Sequence, residues 1–235
     1  MPATKPRSSP PATPPARRPS AASPKTPARK AAGGRPTREA AALLERRILD
    51  VAAGLFADQG YAATSMEQVA EACQAGKDTL YRRYASKGAL FSAILERFRV
   101  DIIDELNACM AADGAPRERL RRYARALLDV NLRPQLVALN RVTLGEAVPA
   151  RGVQPTPAAD DPFLRQMAAL VEAAQAAGAL AAGDALFIAE QLLYATSIKP
   201  LVATMLGQTG FADPAAQQAY FDRAWDLFMQ GAEPR

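Results

Sequence analysis

Histidine is absent from this chain of 235 residues. The commonest general base, the commonest metal ligand and the usual pH switch are therefore all missing. Ser-His-Asp and Cys-His catalysis are excluded within the chain. Cysteine is nearly absent too: only Cys73 and Cys109 are present. Two thiols without histidine make neither a closed zinc site within one chain nor a disulfide framework, and they suit a reducing cytoplasm. No window reaches about 18 consecutive apolar residues, so no transmembrane helix is expected. The N-terminus lacks the apolar core of a secretory signal. No phosphate-binding glycine loop is present. The sequence thus predicts no metal, no cofactor and no enzyme.

Aromatic residues make up only 6% of the chain while apolar residues reach 49%, with alanine abundant. That balance predicts a closely packed helical core. The net charge of +5 hides an asymmetry. Residues 1–37 carry eight basic side chains (Lys5, Arg7, Arg17, Arg18, Lys25, Arg29, Lys30 and Arg35) and no acid, which leaves −3 on the remainder. The same stretch holds ten of the nineteen prolines. Such a composition buries no core, and we expect a disordered basic tail. Its reading is either a solubilising leader or an arm that adds phosphate contacts. Gly34-Arg35-Pro36 resembles the core of an AT-hook, in which Arg35 would enter a narrow minor groove.

Helical periodicity starts after Thr37. Leu44, Ile48, Val51 and Leu55 form a stripe that Ala52 and Phe56 widen. Gly60 ends this helix, and Thr64 with Glu67 reads as a capping box for the next. Met66, Val69 and Ala70 face inward. Gln74-Ala75-Gly76 forms a turn, and a short helix from about Gly76 to Tyr84 carries Lys77, Thr79, Tyr81, Arg82 and Arg83. Two short helices joined by a tight turn suit a helix-turn-helix, whose second helix enters the major groove. Ser86 can cap a fourth helix of about 24 residues, counted from its apolar stripe Leu90, Phe91, Ile94, Leu95, Phe98, Ile102 and Leu106. Further amphipathic segments follow, with Pro200 predicted to kink one of them. The expectation is an all-α fold of about nine helices. Its parts are a tail over 1–37, a helix-turn-helix domain over 38–85, and a helical body over 86–235.

The runs ILDVAAGLF, GYAATSMEQVA and KDTLYRRYASKGAL, between Ile48 and about Leu95, resemble TetR/AcrR-type transcriptional regulators. The segment ending in AAGAL and the following AEQLLYA resemble the AefR-like C-terminal domain of that family. Gln74-Ala75-Gly76 departs from the usual Gly-Val-Ser of the turn, so operator preference does not transfer from relatives. The resemblance implies a regulator of transcription in the bacterial cytoplasm, associated with the nucleoid. It implies a homodimer on the two half-sites of a palindrome in double-stranded DNA, a repressor released by a small-molecule inducer. A regulator of the same fold with no small-molecule inducer is the alternative.

The resemblance also implies roles for positions. Thr64 would bind phosphate at the start of the second helix. Lys77, Asp78 and Thr79 would reach base edges, with Tyr81 and Arg82 on phosphate or the groove wall and Lys87 on phosphate. Tyr84 is expected to pack. Helices five to eight would enclose the inducer, lined by Tyr123, Leu127, Arg141, Met167, Leu170 and Tyr194, and binding there would tilt the fourth helix. Arg141 can equally pair with Glu146 or face solvent. The dimer surface would draw on Leu186, Ala189, Leu193, Thr196 and Ala203 from one helix and on Phe221, Trp225 and Phe228 from the last. Intrachain core is the other reading of each.

Overall fold

The computed structural model describes residues 37–110, 113–150 and 157–234. Arg35 and the rest of the predicted tail before Thr37 lie outside these residues. All regular structure among them is helical. The order is α1 (Arg38–Gln59), α2 (Met66–Ala72), α3 (Lys77–Arg83), α4 (Lys87–Met110), α5 (Pro116–Asn131), α6 (Pro134–Val142), α7 (Pro162–Ala176), α8 (Ala185–Leu193), α9 (Lys199–Met205) and α10 (Pro214–Ala232). A π-type turn, Thr143–Ala147, continues α6, and a second, Tyr194–Ile198, runs unbroken from α8 into α9. With α8 and α9 counted as one rod, the described residues form nine helices, the expected number.

Local chemistry sets the boundaries. Thr37, Asp161, Asp184 and Asp213 each accept a backbone N–H from the first turn of the helix that follows. Proline occupies the first turn of α5, α6, α7 and α10, where its missing N–H costs nothing. Pro200 stands two residues past the second π-type turn, inside the α8–α9 rod. Its ring would clash with the carbonyl four residues back, at Thr196, and the wider i→i+5 turn just before it absorbs the conflict.

The head is pinned by aromatic packing. Phe56 on α1, Tyr61 after it and Phe91 on α4 meet pairwise, with ring centroids 4.9–5.7 Å apart. Ile48, Ala52, Phe56, Val69, Leu80, Leu90 and Ile94 are fully buried around them. Each large apolar side chain so removed from water contributes roughly 1.5–3 kcal/mol. In the body, the α5 face of Leu120, Tyr123, Ala124, Leu127 and Leu128 packs on α4, α7 and the second π-type turn. α1 also packs on α6, so head and body share a boundary at two places, α4 and α6.

Candidate nucleic-acid interface

α2 starts one residue later than expected. The reciprocal cap is Ser65 with Gln68: Ser65 Oγ accepts the Gln68 N–H at 3.2 Å, and Gln68 Oε1 accepts the Ser65 N–H at 2.7 Å. Thr64 is only 1% exposed, and its hydroxyl donates to the Gly60 carbonyl at 2.8 Å and lies 3.3 Å from that of Leu55. The threonine methyl favours this buried position, whereas a cap must face the helix end. Thr64 therefore does not present its hydroxyl to a phosphate. It holds the turn that aims α2.

The turn after α2 closes as a Schellman pair, with Gln74 N–H on the Glu71 carbonyl and Ala75 N–H on the Ala70 carbonyl, both at 2.9 Å. Gln74 takes φ 54°, the left-handed conformation that glycine adopts freely. Glutamine at this position therefore carries backbone strain that glycine would not. Gly76 then caps α3 from extended backbone without any side-chain bond.

α3 is anchored by Leu80, fully buried, and by Tyr84, which packs as expected. Lys77, Asp78 and Arg82 are exposed, Thr79 is half-buried, and Tyr81 is 44% exposed. Two residues that the sequence left without a DNA-facing role organise this surface. Glu67 on α2 accepts the Tyr81 hydroxyl at 3.2 Å and lies 4.0 Å from Lys77 Nζ. Burial and the neighbouring Glu67 carboxylate push the Tyr81 phenol up, so it stays protonated and donating. Arg83 turns inward, with Nη1 3.4 Å from Glu45 Oε2 and Nη2 donating to the Ala41 carbonyl at 3.3 Å, which fastens the end of α3 to α1. No described residue pairs with Arg82.

Lys87 departs from its expected place. Its ammonium donates to the Tyr61 carbonyl at 2.7 Å and the Ala62 carbonyl at 3.3 Å, and lies 4.5 Å from the Tyr61 ring centroid. Half-buried, it is engaged with the turn before α2. Cys73 is buried beside the turn, and burial pushes its thiol up, so the unreactive protonated form dominates.

A buried-anchored, cation-bearing α3 set after a tight turn is a helix-turn-helix. Residues 48–94 match the family "Bacterial regulatory proteins, tetR family", and residues 118–231 match "AefR-like transcriptional repressor, C-terminal domain". The chain belongs to the TetR family. It is a DNA-binding transcriptional regulator of that family, with an AefR-like C-terminal domain. It is 31% identical over 87 residues to the HTH-type transcriptional activator FasR of Mycolicibacterium smegmatis, a match spanning 36% of this chain and 40% of that relative. The flavonoid-responsive regulator FrrA is 26% identical, with a TM-score of 0.61, covering 83% of this chain and 99% of FrrA. A TetR-family regulator from Mesorhizobium loti MAFF303099, 22% identical, superposes with a TM-score of 0.67 over 84% of this chain and all of that one.

The body of this TetR-type chain holds a cavity of 350 Å³ between α4, α5, α6 and the α8–α9 rod. Of the six expected lining residues, only Leu127 borders it. Tyr123 is buried in the core and its hydroxyl donates to the Phe163 carbonyl at 3.1 Å. Met167 and Leu170 are core residues, and Tyr194 is 55% exposed. Arg141 is exposed and donates Nε to the Met205 carbonyl at 3.0 Å, at the end of α9. The cavity instead takes its apolar walls from Leu95, Phe98, Ile102, Val130, Leu136 and Phe163, neutral polar groups from Asn131, Asn140 and Thr143, and charged ones from Arg99 and Asp161.

The expected dimer residues also divide. Ala189, Thr196, Phe221 and Trp225 are buried within the single chain, and Thr196 donates its hydroxyl to the Leu192 carbonyl at 2.7 Å. Leu186, Leu193, Ala203 and Phe228 are half-buried. The apolar side chains left outward on α8 and α10 are Phe187, 58% exposed, and Leu227, 72% exposed, with Phe228 between them along a groove. A helix that is apolar on two faces offers two stripes at a spacing of three or four residues, and the expected residues fall mostly on the inner one.

Among the described residues, no helix is long and apolar enough to cross a membrane, and no group of His, Cys, Asp and Glu side chains is arranged to hold a metal ion.

Proposed function

We propose that the chain is a ligand-responsive repressor that binds a palindromic operator as a homodimer and is released by a small molecule. The observation that carries this reading is a shared helix. Leu95, Phe98 and Ile102 of α4 wall the cavity, while Lys87 at the start of the same helix grips the turn that aims α2. A ligand that prefers a displaced α4 lowers DNA affinity by its differential affinity for the two states.

The cavity volume lies within the range of small-molecule sites, which supports a regulator with an inducer over one without. Its walls suit a mostly apolar molecule whose polar groups meet Asn131, Asn140 or Thr143, or the charges of Arg99 and Asp161. That FrrA answers to flavonoids is consistent with such chemistry.

On DNA, Lys77, Asp78 and Thr79 meet base edges, and Tyr81 and Arg82 meet backbone or groove wall. Thr64 and Lys87 act from behind, and Arg35 with the basic arm adds salt-sensitive contacts. The outward stripe of Phe187, Leu227 and Phe228 is the two-fold contact, which sets two α3 helices one DNA turn (~34–36 Å) or a multiple apart. FasR is an activator, so the sign of regulation is the point at which relatives differ.

The deciding experiment is recovery of bound fragments from a genomic library, followed by transcription from the recovered promoters. We expect inverted repeats, and less transcript when the protein is added. A chain that sediments as a single copy at micromolar concentration and enriches no inverted repeat defeats the proposal. More transcript on addition makes it an activator.

A further inference from the structure

Glu146 has no part in the functions described so far. It lies in the π-type turn Thr143–Ala147 of the body, 84 residues from Ala62, yet its Oε2 accepts the Ala62 N–H at 2.8 Å. Its carboxylate also fills the space beside Gly60. At φ 87° Gly60 takes a conformation that favours glycine, and a Cβ there would stand 2.6 Å from Glu146 Oε1, so any other residue would also push the carboxylate aside.

The five residues from Gly60 to Thr64 fix where α2 begins. They are held by three polar ties: Thr64 to the Gly60 carbonyl, Lys87 to the Tyr61 and Ala62 carbonyls, and Glu146 to the Ala62 N–H. Of these three, only the last reaches the ligand-binding body independently of α4. The segment that supplies it is also a cavity wall. Thr143, three residues before Glu146, borders the cavity together with Asn140, one helical turn earlier. Ala147, the next residue, is fully buried and allows the turn little freedom to move independently of its surroundings.

We propose that Glu146 is a positioning residue that couples the occupancy of the cavity to the helix-turn-helix through α6, a second route beside α4. The inference rests on the reading of ligand-controlled DNA binding. A molecule filling the cavity displaces the Thr143–Ala147 turn. The carboxylate is drawn off Ala62, the turn after α1 keeps only its Lys87 tie to the body, and the placement of α2 with α3 loosens. The strut requires an acceptor at position 146 and a bare Cα at position 60. A charged partner for the carboxylate is not part of the design.

The test uses the full chain and four proteins: wild type, Glu146→Ala, the cavity-filling Leu127→Trp, and the double variant. Ile198→Phe, which fills the cavity from the opposite side, replaces Leu127→Trp should that protein fail to fold. Amide exchange at Ala62 is measured without DNA, and binding to a fragment recovered from the genomic selection is measured by anisotropy. Loss of one bond to a charged acceptor predicts roughly tenfold faster exchange at Ala62 and roughly tenfold weaker operator binding in Glu146→Ala. Glu146→Gln, which keeps an acceptor oxygen, retains most of both. Filling the cavity weakens binding clearly more in the presence of Glu146 than in Glu146→Ala, where the α4 route alone remains, a non-additive cycle.

Unchanged exchange at Ala62 in Glu146→Ala overturns the inference. So does an equal loss of binding on cavity filling in both backgrounds, which leaves ligand control intact but routes it through α4. Cavity filling without effect in either background overturns it as well. A wild-type chain that binds no fragment removes the reading beneath it and the inference together, whatever the exchange shows.

Discussion

Tyr81 Oη donates to Glu67 Oε1 across 3.2 Å, joining the recognition helix to the helix before it. The same carboxylate lies 4.0 Å from Lys77 Nζ. Both groups proposed to meet DNA are thus held by one acid that itself repels phosphate. Such a pair is weak as a source of stability, because all three side chains are largely in water. Its effect lies in orientation.

Glu67→Gln should therefore strengthen binding to random duplex while narrowing the gap between operator and random sequence. One fewer negative charge favours every phosphate, and a freed Lys77 and Tyr81 lose their aim. Titration of both duplexes at several salt concentrations checks this. A variant with unchanged discrimination would show that Glu67 aims nothing.

Gln74→Gly should stabilise the head. Glutamine at φ 54° carries a left-handed strain of about 1–2 kcal/mol, partly offset by the greater unfolded freedom of glycine. The net gain expected in urea unfolding is below about 1 kcal/mol. Gln74→Val should lose stability, since a β-branched side chain tolerates that conformation least. Equal stability of all three proteins would contradict the observed turn.

Glu105 on α4 and Arg133 before α6 form a two-point ion pair, with Arg133 Nη1 2.8 Å from Glu105 Oε2. The hydrogen bonds from Arg133 hold the Glu105 carboxyl below its ordinary value of 4.5. A carboxylate depressed on folding stabilises above the unfolded value and loses that contribution as pH falls through the folded one. Glu105→Gln should thus cost stability at neutral pH, by less than about 1 kcal/mol because the pair is exposed. The difference from wild type should close as pH drops below 4.5. A difference that persists unchanged in acid would assign the loss to packing.

Leu227→Glu should split the proposed dimer. Leu227 is 72% exposed and packs on nothing that folding needs, so the melting of the single chain should hardly move. Sedimentation should show a monomer, and affinity for a two-site operator should fall towards that for one half-site. A dimer that survives the substitution would place the contact elsewhere.

The head was almost fully legible in the sequence, because its signals are local. Thr37, the α1 stripe, Gly60 and the spacing of Leu80 and Tyr84 each report on neighbours within a few positions. The errors there concern side chains with two competing partners. Thr64 satisfies its hydroxyl on Gly60 and leaves capping to Ser65, and Lys87 finds carbonyls instead of solvent. The body was legible as helices but not as surfaces. Whether Met167 or Phe163 faces the cavity depends on the rotation of α7 against α5, which periodicity leaves open. Glu146 was invisible for the same reason: its partner is distant in sequence and is a backbone N–H, which leaves no mark on residue choice except the glycine at position 60.

Thr37 closes α1 with its own hydroxyl, accepting the Ala40 N–H at 3.2 Å. The first helix of the DNA-binding head is therefore sealed from within. The Ala40 N–H is satisfied by Thr37 itself, so that donor needs no partner from any residue ahead of the helix.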